Sequence, residues 1–210
     1  MRKSLAYIEK ALEAVSAIAK EGGTILFVGT KRQAATLVLK YAQQCGQPHV
    51  TNRWLGGTLT NFAVISKMIK KYHSEKQKME EGEFQKYTKK EQLDRSREID
   101  ELDILIGGIQ QLTKLPTALF MIDMNHDSTA VKEARKKNIP IIALCDANVN
   151  PELATHPIPG NDDAIKSIDM ILKLVSEAYL EGAAQKVVQK AEQEAARSTP
   201  AEIVTQSASL

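Results

Sequence analysis

Three short runs of uninterrupted apolar residues constrain the fold most: "TILFVG" (Thr24–Gly29), "TALFMID" (Thr117–Asp123) and "PIIALCD" (Pro140–Asp146). None alternates apolar with polar, so each reads as a strand buried on both faces, the kind found in a parallel sheet covered by helices. Helical spacing fills the intervals. Leu5, Ile8, Leu12, Val15 and Ile18 form one face of a helix that ends at Gly22–Gly23. Gln33–Gln44 is a second helix, with Ala34, Ala35, Leu37 and Val38 to pack inward, and a third runs through Val131–Lys137. The last long helix carries Ile165, Ile168, Ile171, Leu172, Val175 and Tyr179 on one stripe. A short strand is expected at His49–Thr51, and the prolines of "HPIPG" confine that segment to a sheet edge or an extended connector. Strands alternating with helices predict an α/β fold with a doubly wound parallel sheet.

The alternation breaks between residues 61 and 116, which are dense in charge and have no strand signal. Phe62, Ile65, Ile69, Tyr72 and Met79 give a narrow apolar seam. After a break at Gly82, a second seam runs through Leu93, Ile99, Leu102, Ile106, Ile109 and Leu112. Thr88-Lys89-Lys90-Glu91 has the form of a capping box, so a helix should begin there. Two seamed helices joined by a turn predict an antiparallel coiled-coil hairpin inserted into the sheet domain and projecting from it. The expected partition is therefore a discontinuous sheet domain (1–60 and 113–184), a hairpin (61–112) and a disordered polar tail (185–210).

Two cysteines, Cys45 and Cys145, stand far apart with no metal-type spacing, which suits a reducing compartment. Glu9, Lys10 and Glu13 interrupt the N-terminal apolar residues, against a signal peptide, and no run is long enough to span a bilayer. A soluble intracellular protein is expected. The formal charge of +2 is too small to mark a polycation, so nucleic-acid binding has to come from local clustering of basic residues.

The turn Gly29–Arg32 offers a helix N-terminus with Lys31 and Arg32, a setting that attracts phosphate. It matches neither the Walker A pattern nor the dinucleotide fingerprint. An ordinary strand-to-helix turn with solvated basic residues explains it as well. At the carboxyl edge of the sheet stand Asp123, His126, Asp127, Cys145 and Asp146. A nucleophilic Cys-Asp-His grouping competes there with an inert buried thiol and a helix-capping Asp, and the structural alternative is favoured. Asp146, Asp162 and Asp163 are weak candidates for an oxygen-ligand metal site; no metal or cofactor is expected. An enzyme or nucleotide-binding protein would use the Gly29–Arg32 turn with these carboxylates, and a coiled-coil adaptor that binds only protein is a third class.

On the hairpin, Lys67, Lys70 and Lys71 share one helical face, and Lys89 and Lys90 begin the next helix. They form either a solvated charged face or a cluster able to follow a phosphate backbone without reading sequence. No aromatic platform accompanies them, so recognition of single-stranded bases is not expected. The joint between sheet and hairpin is "NRWLGGTLTNF" (Asn52–Phe62). There Gly56–Gly57 supplies backbone freedom, Thr58 or Thr60 can cap the first hairpin helix, and Trp54 wedges the hairpin base against the sheet. Arg53 either reaches phosphate or pairs locally.

The wording of "RWLGGTLTNF", together with "LFVGTK", "LPTALFMID", "AVKEARKKNIPIIALCDAN" and "HPIPGNDDAI" in this order and spacing, resembles the bacterial-type small-subunit ribosomal protein two family over about residues 1–185. The resemblance implies a flavodoxin-like α/β domain with an inserted coiled-coil hairpin and no enzymatic activity. It also implies a place on the small ribosomal subunit, in the cytoplasm or an organelle, with no membrane and no small-molecule substrate. Implied partners are the small-subunit ribosomal RNA and neighbouring ribosomal proteins, among them the messenger-binding ribosomal protein one. In that context the expected RNA contacts are Lys31, Arg32, Arg53, Lys67, Lys70, Lys71, Lys89 and Lys90. Family members carry a further N-terminal stretch with a "GH" and an "RWNP"-like segment. This sequence starts at "MRKSLAYIEK", as a shortened lineage or an incomplete gene would. Asp123–Met124 stands where Asp-Pro is more usual.

Overall fold

The computed structural model describes residues 2–197, apart from the side chains of residues 2, 3, 85 and 190–197. The chain runs through α1 (Arg2–Glu21), β1 (Ile25–Val28), α2 (Arg32–Gln44), β2 (His49–Val50), α3 (Phe62–Glu80), α4 (Lys89–Ile106), β3 (Ala118–Met121), α5 (Ser128–Lys136), β4 (Ile141–Cys145), β5 (His156–Pro159) and α6 (Ile165–Arg197). Short 3-10 turns occur at Glu83–Lys86, Gly107–Ile109 and Pro151–Leu153. The five strands form one sheet in the order β2-β1-β3-β4-β5, and every pairing is parallel. This is the flavodoxin-like order, whose switch point lies between β1 and β3.

The apolar runs form strands because both their faces are covered. Along β1, Ile25 and Phe27 enter a core with α1, α2 and α6, while Leu26 and Val28 enter the opposite core with α5 and the base of the α3–α4 pair. Phe27 and Phe120 pack as a tilted pair, ring centres 5.4 Å apart. β5 takes the sheet edge, where Pro157 and Pro159 deprive no further strand of a donor.

Helices α3 and α4 run antiparallel, as the cross-pairs Lys71–Glu98 (2.5 Å), Glu75–Arg95 (3.2 Å) and Tyr72–Asp103 show. The expected projection needs adjustment. Ile65, Ile69, Tyr72, Ile99, Ile106 and Ile109 belong to the same buried cluster as strand residues Leu26 and Met121, so the base of the pair is a wall of the core. Only the distal seam is exposed, with Met79 at 47% and Leu93 at 51%. On the other face the α1 contact is centred on Ala11, Val15 and Ala19, and Leu5 and Ile165 at the helix ends are exposed. A Cβ on Gly182 would collide with the Ser16 carbonyl, so α6 approaches α1 more closely than any other residue there permits. α6 continues through residues 185–197, which are therefore helix and not tail. The remainder of the expected tail lies outside the described residues.

Candidate nucleic-acid interface

The joint "NRWLGGTLTNF" is a loop of successive turns folded around one buried carboxylate. Glu133 of α5 is 7% exposed and faces the loop. Its Oε1 accepts the Gly57 N–H (2.7 Å) and the Trp54 Nε1–H (3.2 Å). Its Oε2 accepts the N–H groups of Leu59 and Thr60 and the Thr60 hydroxyl, each at 3.0 Å. The glycine-rich loop is thus an anion cradle whose anion is the protein's own. Burial disfavours the charged form of Glu133, but the donated hydrogen bonds outweigh it and hold its pKa below the ordinary glutamate value. Gly57 adopts φ +94°, a conformation few side chains tolerate. Trp54 is buried beside Glu133, consistent with a wedge. The two threonines do not cap α3, however. The Thr58 hydroxyl donates to the Leu55 carbonyl, Thr60 serves Glu133, and the N-cap of α3 is Asn61 without a side-chain bond. Gly56 is exposed with open space around it.

At the switch point, Lys31 does not face outward. Its Nζ lies 3.3 Å from Asp123, 3.2 Å from Asp162 and 2.5 Å from Asp163. Burial works against its charge, but hydrogen bonds to Asp163, Asp162 and Asp123 prevail and raise its pKa. Its positive charge is therefore neutralised within the protein, which removes it from the set of exposed basic residues. Asp162 is fully buried, and one of its oxygens has no hydrogen-bond partner. Among the described residues no group of three or more His, Cys, Asp and Glu side chains is placed to hold a metal ion. Asp162 and Asp163 instead surround the Lys31 ammonium, and Asp146 accepts the Ala147 N–H at 2.7 Å.

The Cys-Asp-His grouping does not assemble as a nucleophile. The Cys145 thiol is buried, which pushes its pKa up to about 11, and it points at the Ala143 carbonyl (3.5 Å). His126 meets the Thr30 hydroxyl (2.7 Å), which also donates to Asp127 (2.9 Å). Asp123 accepts the N–H groups of Asn125 and His126, so it closes a turn.

The remaining basic candidates divide by their neighbours. Lys71 is paired with Glu98. Arg32, Arg53, Lys67, Lys70, Lys89 and Lys90 are exposed and form no ion pair among the described residues. Lys89 and Lys90 open α4 inside a complete Thr88–Glu91 capping box. Arg53 lines a polar cleft of about 510 Å³ between the end of β2 and the Gly107–Gly108 turn, with His49, Asn52 and Asp103.

Two features escaped the residue patterns. Glu133 lies next to Ala134 on the buried side of α5, and a charge at such a position was the available signal. The second is an aromatic group in the turn between α3 and α4. Phe84 is buried, Tyr87 is 40% exposed, and the Arg95 guanidinium lies 4.3 Å from the Tyr87 ring centre and 5.7 Å from that of Phe84.

Comparison with known proteins matches residues 1–182 to the family model "Ribosomal protein S2". The small ribosomal subunit protein uS2 of Amoebophilus asiaticus is 45% identical over 191 residues, covering 91% of this chain and 61% of the relative. That of Rhodococcus erythropolis is 44% identical over 182 residues, covering 87% and 64%, and that of Corynebacterium diphtheriae 45% over 184, covering 87% and 69%. The chain thus spans between 61% and 69% of the length of these curated relatives. With a match that runs from α1 through Gly182 of α6, this chain belongs to the ribosomal protein S2 family.

Proposed function

We propose that this chain is a structural component of the small ribosomal subunit. It binds the subunit's ribosomal RNA and neighbouring ribosomal proteins, carries out no reaction of its own, and works on ribosomes of the cytoplasm or an organelle. The observation that carries this is the family match across residues 1–182, together with relatives that are themselves named small ribosomal subunit proteins. The exposed cations Arg32, Arg53, Lys67, Lys70, Lys89 and Lys90, which form no ion pair among the described residues, supply the chemistry, since sequence-independent RNA binding rests on phosphate contacts. Lys31 is left out of this set. Lys71 stays in it as a partial contributor, because an exposed pair with Glu98 exchanges readily with a phosphate. The two-domain division, with the α3–α4 pair as a separate coiled-coil module, and contact with the messenger-binding ribosomal protein one belong to the same proposal. No helix among the described residues is long and apolar enough to cross a membrane.

The test is charge reversal of Lys67, Lys70 and Lys71 to Glu. The variant is expected to enter small subunits less well on gradient sedimentation, and its RNA binding should depend less steeply on salt, by roughly 0.7–0.9 in the log–log slope per lost phosphate contact. Undiminished incorporation would remove this face from the interface.

A further inference from the structure

Helix α5 buries its one acid and exposes its cations. Along Ser128–Lys136 the residues Ala130, Val131, Glu133 and Ala134 are buried, and Glu133 is the only acidic residue of the helix. Its carboxylate turns inward to the joint, where the Gly57, Leu59 and Thr60 N–H groups and the Trp54 indole donate to it. The opposite face carries Lys132, Arg135 and Lys136, three and four residues apart and so on one stripe, and Lys137 follows at the C-cap. Ser128 and Thr129 extend the stripe into the first turn, and all six residues are exposed. None of the four cations forms an ion pair among the described residues. The segments that flank α5 add little negative charge. The joint Asn52–Phe62 carries Arg53 and no acid. The loop after β4 carries Asp146, which accepts the Ala147 N–H, and Glu152, which borders a groove with Arg135 without pairing to it. Asp123 and Asp127, in the turn that leads into α5, are buried, and Asp123 is bound to Lys31. A helix C-terminus favours cations, by about 0.3–1 kcal/mol each, which accounts for Arg135, Lys136 and Lys137 but not for Lys132 in the middle turn.

We infer that the outward face of α5 is a further RNA-binding surface, with Lys132, Arg135, Lys136 and Lys137 holding successive phosphates of an RNA backbone. This rests on the ribosomal proposal above, which supplies RNA as the partner; α5 supplies a surface outside the cations already assigned. Lys132 and Lys136 stand one turn apart, about 6 Å along the helix axis. The hydroxyls of Ser128 and Thr129 are further donors of the kind that contact phosphate, and no aromatic side chain stands on the stripe, so the face holds backbone without reading bases. The buried face of α5 shares its core with Ile65 and Ile69 of α3. The helices that carry Lys67, Lys70 and the α5 cations therefore cover the same side of the sheet, while α1, α2 and α6 cover the other. The Glu133 bonds tie α5 to the joint, so its cations are presented from a fixed element and less ordering is needed when RNA docks.

The experiment uses the full chain and a fluorescein-labelled RNA stem-loop, with affinity read by anisotropy across a salt series. Replacing Lys132, Arg135 and Lys136 together with Gln should lower the log–log salt slope by about 0.9 per lost phosphate contact, about 2–3 in all, and weaken low-salt binding roughly tenfold or more. Emission from Trp54, the single tryptophan, reports the joint packed on α5 and should not move. If it does move, the double variant Lys132→Gln, Lys136→Gln leaves Arg135 in the last turn and should still lower the slope by about 1.8. The control removes the same charge from the opposite side of the sheet, as Lys10→Gln, Lys20→Gln and Lys166→Gln in α1 and α6, and should keep the parent slope. An unchanged slope in the α5 variants, an equal loss in the control, or no RNA binding by the parent would each overturn the inference. So would an α5 variant that binds RNA as the parent does but no longer binds polyglutamate, since the face would then belong to an acidic protein. The ribosomal proposal is read separately, by sedimentation of the parent chain, so an unchanged slope in the α5 variants sinks this inference alone.

Discussion

Replacing Glu133 with Gln changes one atom and should unfold the joint. In the parent protein both carboxylate oxygens accept, Oε1 from Gly57 and Trp54 and Oε2 from Leu59 and Thr60. Glutamine keeps one acceptor and turns the other into a donor. Whichever way the amide is placed, it faces two N–H groups: Gly57 and Trp54 in one orientation, Leu59 and Thr60 in the other. The Thr60 hydroxyl can rotate to accept, so two donors are left without a partner. At about 1–3 kcal/mol each, the loss comes to about 2–6 kcal/mol, a large share of the ~5–15 kcal/mol that stabilises a typical domain. Urea unfolding at neutral pH should show a lower midpoint with an unchanged slope. The pH dependence separates charge from shape. The folded pKa of Glu133 is depressed, so its contribution is complete above the unfolded carboxylate value and is lost as pH falls through the folded one. The gap between parent and variant should be flat near neutrality and close from about pH 4 downward. A gap under about 0.5 kcal/mol, or one that persists undiminished into strong acid, would refute the account of the joint.

Lys31→Met leaves Asp123, Asp162 and Asp163 without their common cation. The cost should be about 3–5 kcal/mol at neutral pH, which urea unfolding would reveal. Gly108→Ala puts a Cβ into the His49 carbonyl, where the turn after α4 abuts β2. It should cost about 1–3 kcal/mol by urea unfolding, and faster amide exchange should appear at β2.

What could be read from the residues follows from how local each determinant is. The strands were legible because a strand buried on both faces has no polar position to confuse its pattern, and Ile25–Val28, Ala118–Met121 and Ile141–Cys145 all fall inside the expected runs. The Thr88–Glu91 capping box was legible because its partners are three residues apart. Glu133 was not, because its partners are backbone N–H groups of a loop far off in sequence, and a residue pattern carries no record of them. In sequence, Lys31 reads either as a phosphate-seeking cation at a helix start or as a solvated basic residue. The three carboxylates that neutralise it come from the loops after β3 and β5, which only the strand order brings together. Threonines before a helix suggested caps, but a buried carboxylate is the stronger acceptor and took the Thr60 hydroxyl. The contact face of α1 keeps Val15, with Ile8, Leu12 and Ile18 packed at its margin, and gains Ala11 and Ala19, because Gly182 lets α6 come close and close packing favours small residues.

The ribosomal account is tested most directly by expressing the tagged full chain and sedimenting the cell extract through a sucrose gradient. The account predicts that the chain travels with the small-subunit peak, stays there through a moderate-salt wash, and is released progressively as salt rises. A chain that remains at the top of the gradient at low salt, while other small-subunit proteins sediment normally, would contradict it.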